Sequence, residues 1–181
     1  MVILGVDPGF GTTGYGLIKT DPLDIRNVEL LEAGVLKSPK NISFSERLEE
    51  IYGRMMEILE EFCPASIAVE DIYSSPAFPR SSIAIGHVRG VLLLAASQKK
   101  IPVFSYFPRQ IKKSLVGNGN ASKSQIQKMV ENTFGLNQDT RPDDLSDAIA
   151  IALCHAGHVE RIPSPDCRSE IGSAGRSRVM G

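Results

Sequence analysis

Val2-Ile3-Leu4-Gly5-Val6-Asp7-Pro8-Gly9 is the stretch on which the fold turns. Five apolar or small residues in a row read as a buried strand. Pro-Gly then signals a turn. Asp7 closes the strand, and a carboxylate is costly to bury without a partner or a cation. The pattern recurs at Ile67-Ala68-Val69, a second short apolar run that ends in Glu70-Asp71. Asp143, Asp144 and Asp147 then open a predicted helix. Acidic groups at the ends of core elements predict one carboxylate cluster assembled from distant parts of the chain.

Working outward, Thr12 to Ile18 reads as a second strand after a glycine-rich turn short enough for an antiparallel hairpin. Val28 to Leu36 reads as a third. Ser43 to Phe62 is the clearest helix. Ser43 and Glu46 have capping-box spacing, and Phe44, Leu48, Ile51, Met55, Ile58, Leu59 and Phe62 share one face. Pro64 stops it. Ile67 to Val69 is strand four, and Val103 to Tyr106, introduced by Pro102, is strand five. Further helices are predicted over Ser81 to Gln98, Pro108 to Leu115, Ser122 to Phe134 and Asp143 to Glu160. The last has Leu145, Ile149, Ala152, Leu153 and Ala156 as its apolar face. Strands four and five follow helical crossovers, so they should lie parallel. The expectation is an α/β protein with a mixed sheet of about five strands and helices on its faces. Residues 1–160 form one domain, and residues 161–181, rich in Ser, Gly, Pro and Arg, are a polar tail expected to be disordered.

The chain has 181 residues and a net charge of −1, with 42% hydrophobic and 23% charged residues, as in an ordinary globular protein. The longest apolar stretch, Val91 to Ala96, is far too short to span a bilayer. No basic segment followed by an apolar one marks a secretory signal. Cys63, Cys154 and Cys167 are odd in number and lack CxxC spacing, which fits a reducing cytoplasm and argues against a disulfide framework or a zinc ribbon. The near-neutral total hides an asymmetry. The 59 residues from Ile72 to Val130 contain no Asp or Glu but nine Lys and Arg, among them Arg80, Arg109, Lys112 and Lys123. Such a segment points to a polyanionic partner, of which a phosphate backbone is the commonest.

Each acid has a plain structural reading. Asp before Pro-Gly suits a turn, and Asp143, Asp144 and Asp147 in a first helical turn suit the helix dipole. Together they offer only hard oxygen ligands, which suits Mg²⁺ or Mn²⁺ and disfavours zinc. Two such ions about 3.5–4 Å apart can activate water and stabilise the leaving oxygen of a phosphodiester. Acids for metal beside a basic stretch for phosphate is the composition of a nuclease.

Leu4-Gly5-Val6-Asp7-Pro8-Gly9, Thr13-Gly14-Tyr15-Gly16, Ala68-Val69-Glu70 and Gly86-His87-Val88-Arg89-Gly90-Val91 resemble, in order, the RuvC family of Holliday junction resolvases. So do Arg109-Gln110-Ile111-Lys112, Lys123-Ser124-Gln125-Ile126-Gln127 and Asp144-Leu145-Ser146-Asp147-Ala148-Ile149-Ala150-Ile151-Ala152. The resemblance runs from about Met1 to His158. It implies an RNase H-like fold with helices on both faces of the sheet, and a homodimer that nicks four-way junction DNA symmetrically in recombination and repair. It implies a catalytic and metal-binding tetrad of Asp7, Glu70, Asp144 and Asp147, with Asp143 the adjacent candidate, and Mg²⁺ as cofactor, two ions per site, with Mn²⁺ able to substitute. Asp7 would bridge the two ions. Tyr73 matches an aromatic that contacts a base near the junction, and its other reading is a core residue after strand four. Lys112 and Lys123 match lysines near the scissile phosphate, and Arg80 and Arg109 are further phosphate contacts. The family works with RuvA and RuvB, the branch-migration proteins.

His87 stands where Gln is usual, Ala84 replaces a common Lys, and the stretch from Ser74 to Arg80 is one residue longer than in some relatives. These departures bear on DNA contacts and leave the acids untouched. His155 and His158 beside Cys154 read as polar residues at a helix end rather than a metal trio. The rivals are a YqgF-type RNase H-like nuclease, an ATP-binding half-domain of the actin and sugar-kinase type, and a non-catalytic junction-binding module. The half-domain would need a second lobe, and the module would have no use for four carboxylates. The helix from Ser81 to Gln98 is the expected dimer interface, because Val91 to Ala96 is apolar almost all round.

Overall fold

A computed structural model of the chain describes residues 1–9, 11–21, 24–39, 41–72, 79–135 and 143–159, without the side chains of residues 24–26, 79, 143 and 144. The elements run β1 (Val2–Asp7), β2 (Thr12–Asp21), β3 (Asp24–Lys37), α1 (Phe44–Phe62), β4 (Ser66–Glu70), α2 (Pro79–Gln98), β5 (Val103–Tyr106), α3 (Pro108–Val116), α4 (Lys123–Phe134) and α5 (Asp143–Ala156). The polar tail, Tyr73 and the proline-rich stretch before Pro79 lie outside the described residues.

One five-stranded sheet has the order β3-β2-β1-β4-β5. β1 pairs antiparallel with β2, placing Asp7 opposite Gly14, and β2 pairs antiparallel with β3. β4 runs parallel to β1, with Val6 opposite Val69, and β5 runs parallel to β4, with Glu70 opposite Tyr106. The mixed sheet expected from the sequence is therefore present. β1, buried on both faces, reads as a continuous apolar run for that reason.

Strand alternation sorts the side chains onto two faces. Leu4, Val6, Leu17, Ile67 and Val69 pack on one face against Ile51, Met55 and Leu59 of α1 and Val88, Leu92 and Ala95 of α2. Ile3, Ile18, Ala68 and Tyr106 pack on the other against Ile111 of α3, Ile126 and Val130 of α4, and Ile149 and Ala152 of α5. Asp7 is two and four residues from Gly5 and Ile3, and Glu70 is two from Ala68. Both carboxylates therefore belong to the α5 face.

The approach of α5 to that face depends on two glycines. A Cβ on Gly5 would lie 2.1 Å from the Ala148 carbonyl oxygen and 2.7 Å from the Ala152 amide nitrogen. A Cβ on Gly16 would lie 2.8 Å from Ile149 Cγ1. Their bare backbone lets α5 lie close against β1 and β2 and carries Asp147 toward the end of β1. The helix is buried around most of its circumference, including Ala148, Ala150, Ile151 and Cys154, because α3 and α4 cover the side turned away from the sheet. The single apolar stripe expected of α5 is too narrow, and the helix ends at Ala156, not Glu160. Gly157 and a turn from the His158 amide to the His155 carbonyl, 2.9 Å, close it.

The caps read from sequence are formed. Ser43 Oγ accepts from the Glu46 amide at 3.3 Å while Glu46 accepts from the Ser43 amide at 2.6 Å. Ser122 and Gln125 make the same reciprocal pair at the start of α4. Among the described residues no helix is long and apolar enough to cross a membrane.

Candidate active site

Adjacent parallel strands end side by side at Asp7 and Glu70, and their side chains hydrogen-bond to one another. Two carboxylates can share a hydrogen bond only if one holds a proton. The Glu70 carboxyl is accordingly pushed up to about 8, first by burial, then by the Asp7 charge and hydrogen bond, and then by the Asp147 charge, with Lys112 opposing.

Asp147 comes from the second turn of α5, and its Oδ2 accepts from Lys123 Nζ at 2.8 Å. Lys123 is the first residue of α4, and Lys112 stands in the middle of α3. Glu70, Asp147, Lys112 and Lys123 line the charged part of a cavity of about 210 Å³ whose apolar part is Ile111, Ile126, Ala150 and Ile151. The tertiary structure thus gathers Asp7, Glu70, Asp147, Lys112 and Lys123 from four separate elements and the end of β1. The α5 backbone places Asp144 one turn before Asp147, but its side chain and that of Asp143 lie outside the described residues, as does Tyr73. Arg109 is exposed on α3 and donates to Asn120 Oδ1 at 3.2 Å, and Arg80 is exposed at the start of α2. Neither lines the cavity.

The donor set is all oxygen, which fits a hard divalent cation. The Asp7 and Asp147 charges that add to burial in raising Glu70 would equally favour a bound cation. Among the described residues no three His, Cys, Asp or Glu side chains converge as an ion cage. Asp147 instead turns to Lys123.

Two features were not read from the sequence. Arg89 of α2 lies 3.3 Å from Asp71 and donates to Ser105 Oγ at 2.6 Å, joining the ends of β4 and β5 beside Glu70. The only local signal was a second acid after Glu70. His155 is fully buried, hydrogen-bonded to Tyr106 Oη through Nδ1 at 2.7 Å and to Ser66 Oγ through Nε2 at 2.9 Å. It does stand in the last turn of α5, as its place in the sequence suggests, but it is buried there because this end of the helix packs against β4 and β5. Both of its ring nitrogens are engaged by these hydrogen bonds.

The strand order, with helices on both faces and an acidic pair at the ends of the two central parallel strands, defines an RNase H-like domain of the nuclease type. The chain belongs to the RuvC family: the family model for crossover junction endodeoxyribonuclease RuvC matches residues 3–155. The crossover junction endodeoxyribonuclease RuvC of Thermotoga maritima is 44% identical over 154 residues, covering 85% of this chain and 89% of that protein. That of Pelotomaculum thermopropionicum is 39% identical over 158 residues, covering 87% and 94%. Among solved structures, T. thermophilus RuvC in complex with a Holliday junction substrate aligns with a TM-score of 0.79 and 34% identity over 88% of this chain and 95% of that one. The yeast mitochondrial resolvase Ydc2, at 14% identity and a TM-score of 0.62, shares the fold.

Proposed function

We propose that this chain resolves four-way DNA junctions by metal-dependent hydrolysis of two symmetrically placed phosphodiesters, acting as a homodimer in the cytoplasm alongside RuvA and RuvB. Membership of a family of crossover junction endodeoxyribonucleases supports the substrate class. The observation that carries the chemistry is the Asp7–Glu70 pair, two hydrogen-bonded carboxylates at neighbouring strand ends, with Glu70 pushed up to about 8 by burial first and by Asp7 next.

In this reading Asp7, Glu70, Asp144 and Asp147 hold two Mg²⁺ ions, which Mn²⁺ can replace. When bound, the ions supply Lewis-acid activation of water and neutralise charge on the leaving oxygen. Asp7, at the end of the central strand, would be the carboxylate nearest the middle of the group. Glu70 reaches the same point from β4, Asp147 closes the group from α5, and Asp144 sits one turn away. Lys112 and Lys123 place positive charge beside the scissile phosphate, where it is worth most as negative charge develops. Arg80 and Arg109 hold phosphates farther along the DNA, which fits their exposure outside the cavity. Tyr73 stacks on a base near the junction.

The homodimer uses α2. Ile83, His87, Gly90 and Leu94 recur at helical spacing, with Ile83 and Leu94 61% and 53% exposed. Two large apolar side chains left exposed on one side of a helix, with His87 and Gly90 between them, support a contact there.

The test is cleavage of a synthetic four-way junction with Mg²⁺, against duplex and RNA–DNA hybrid, for the wild type and Asp7→Asn. Paired, ligatable nicks in the junction alone, abolished in Asp7→Asn while binding survives, are expected. Equal cutting of hybrid or plain duplex would reassign the chain to another RNase H-like activity, and junction binding with no cutting under any divalent ion would make it a binding module.

A further inference from the structure

Lys123 occupies a position that helix energetics do not favour. It is the first residue of α4, where the dipole places partial positive charge and anions are preferred. No acidic residue stands in the first turn of α4 to compensate. What meets its ammonium is Asp147 Oδ2 at 2.8 Å, across from another helix. The ion pair is open to solvent, with side chains 50% and 31% exposed. Pairs this exposed are weak, commonly shifting an equilibrium by about two- to fivefold. A divalent cation, with twice the charge and several oxygen ligands at once, outcompetes such a contact.

We propose that Lys123 is a displaceable counterion: its ammonium neutralises Asp147 in the metal-free protein, and a divalent cation takes over the carboxylate and releases the ammonium to a DNA phosphate. The inference rests on the metal-dependent reading of the site above. Lys123 is suited to both positions, being half-exposed on the cavity rim with a long flexible stem. Lys112 is the other lysine on that rim, and its charge acts on Glu70. The two lysines therefore divide the acidic group between them, one facing each strand or helix end. The exchange makes loading ordered and reciprocal. A phosphate that draws Lys123 away leaves Asp147 a better ligand, and a cation on Asp147 leaves Lys123 a better phosphate contact. By linkage the two effects are equal in size.

Calorimetric titration of MnCl₂ alone into the DNA-free, full-length protein tests this, for the wild type, Lys123→Met, Lys123→Gln, Lys113→Met and Asp7→Asn. Lys113 is exposed on α3 outside the cavity, so its variant removes one positive charge without touching Asp147. Both Lys123 variants are expected to bind Mn²⁺ about two- to fivefold more tightly than the wild type, with Lys113→Met unchanged. Unchanged or weaker binding in the Lys123 variants would overturn the exchange, as would an equal gain in Lys113→Met, which would reduce the effect to net charge. Asp7→Asn separates the two ideas. If it binds Mn²⁺ as well as the wild type does, or the wild type binds none, the metal reading itself falls and the exchange with it. If Asp7→Asn loses binding and the Lys123 variants gain nothing, the exchange alone is wrong.

Discussion

Arg89 donates to Ser105 Oγ at 2.6 Å and lies 3.3 Å from the Asp71 carboxylate, so one side chain from α2 ties the ends of β4 and β5 together next to Glu70. Asp71 is held further by its amide, which donates to the Tyr106 carbonyl at 2.9 Å, and by its Oδ1, which accepts from the Ile72 amide at 3.1 Å. Because α2 also carries the exposed Ile83 and Leu94, this tie runs from the proposed dimer face to the strand end bearing Glu70, a proposed catalytic carboxylate. Arg89→Gln should slow junction cleavage by roughly tenfold to a hundredfold, the scale set by small misplacements of reacting groups. Single-turnover rates with saturating enzyme would reveal this, and a wild-type rate would mean that the tie does not position Glu70.

The acidic pair predicts an unusual pH dependence for the metal-free protein. Glu70 is raised to about 8 from an ordinary value of 4.5. The native state therefore holds a proton that the unfolded chain releases. The associated stability is fully present below about pH 4.5 and is lost as pH rises through about 8. In EDTA, melting temperatures of the wild type should fall over that window, while Glu70→Gln, which needs no proton to hydrogen-bond Asp7, should flatten the curve. A Glu70→Gln profile parallel to the wild type would show that the pair is not the source.

His155 contributes in the opposite direction. Burial, and then the charge of His158, lower it to about 4 from an ordinary 6.5. Here the unfolded chain takes up the proton first, so stability is present above about pH 6.5 and is lost as pH falls through 4. His155→Ala strands the Tyr106 and Ser66 hydroxyls and opens a cavity between α5 and the sheet, at a cost of about 3 kcal/mol or more. Urea melts at neutral and mildly acidic pH check both the cost and the lost acid dependence.

Gly5 marks where α5 rests on the sheet. Gly5→Ala should destabilise the protein by about 1–3 kcal/mol, the range for overpacking, because the atom that a Cβ meets at 2.1 Å is backbone rather than a flexible side chain. Chemical denaturation gives the loss directly. A neutral Gly5→Ala would mean that α5 can lift off the sheet without penalty, and Asp147 would then not be held in place by this contact.

Leu94 is the last large apolar side chain exposed along α2. Leu94→Glu should leave the fold intact, since the residue is 53% exposed, yet convert a dimer into a monomer by burying an unpaired charge at the interface. Light scattering after gel filtration measures this. A dimer that survives both Leu94→Glu and Ile83→Glu would place the interface elsewhere.

Much of the architecture was legible in the order of residues. β1 and β5 start and stop where apolar runs and prolines place them, Ser43–Glu46 and Ser122–Gln125 cap helices as their spacing predicts, and Asp7 and Glu70 stand at strand ends. These features depend on hydrogen bonds within a turn or on a two-residue alternation, so a few neighbouring residues decide them. The breadth of burial of α5 and its end at Ala156 were misread, since both depend on α3 and α4 packing over it. The same holds for His155, whose burial is set by Ser66 and Tyr106, 89 and 49 residues away in the chain.

By itself, then, the sequence determined which elements form, which residues could do chemistry, and that acids and cations would be separated along the chain. Only the tertiary structure decided how they meet. It placed β4 between β1 and β5, so that Asp7 and Glu70 meet; it set Lys123 against Asp147; and it ran Arg89 across to Asp71. Each of these contacts joins segments whose approach is governed by side-chain volume and burial summed over a whole core, including the missing Cβ atoms of Gly5 and Gly16, and no local pattern records that sum.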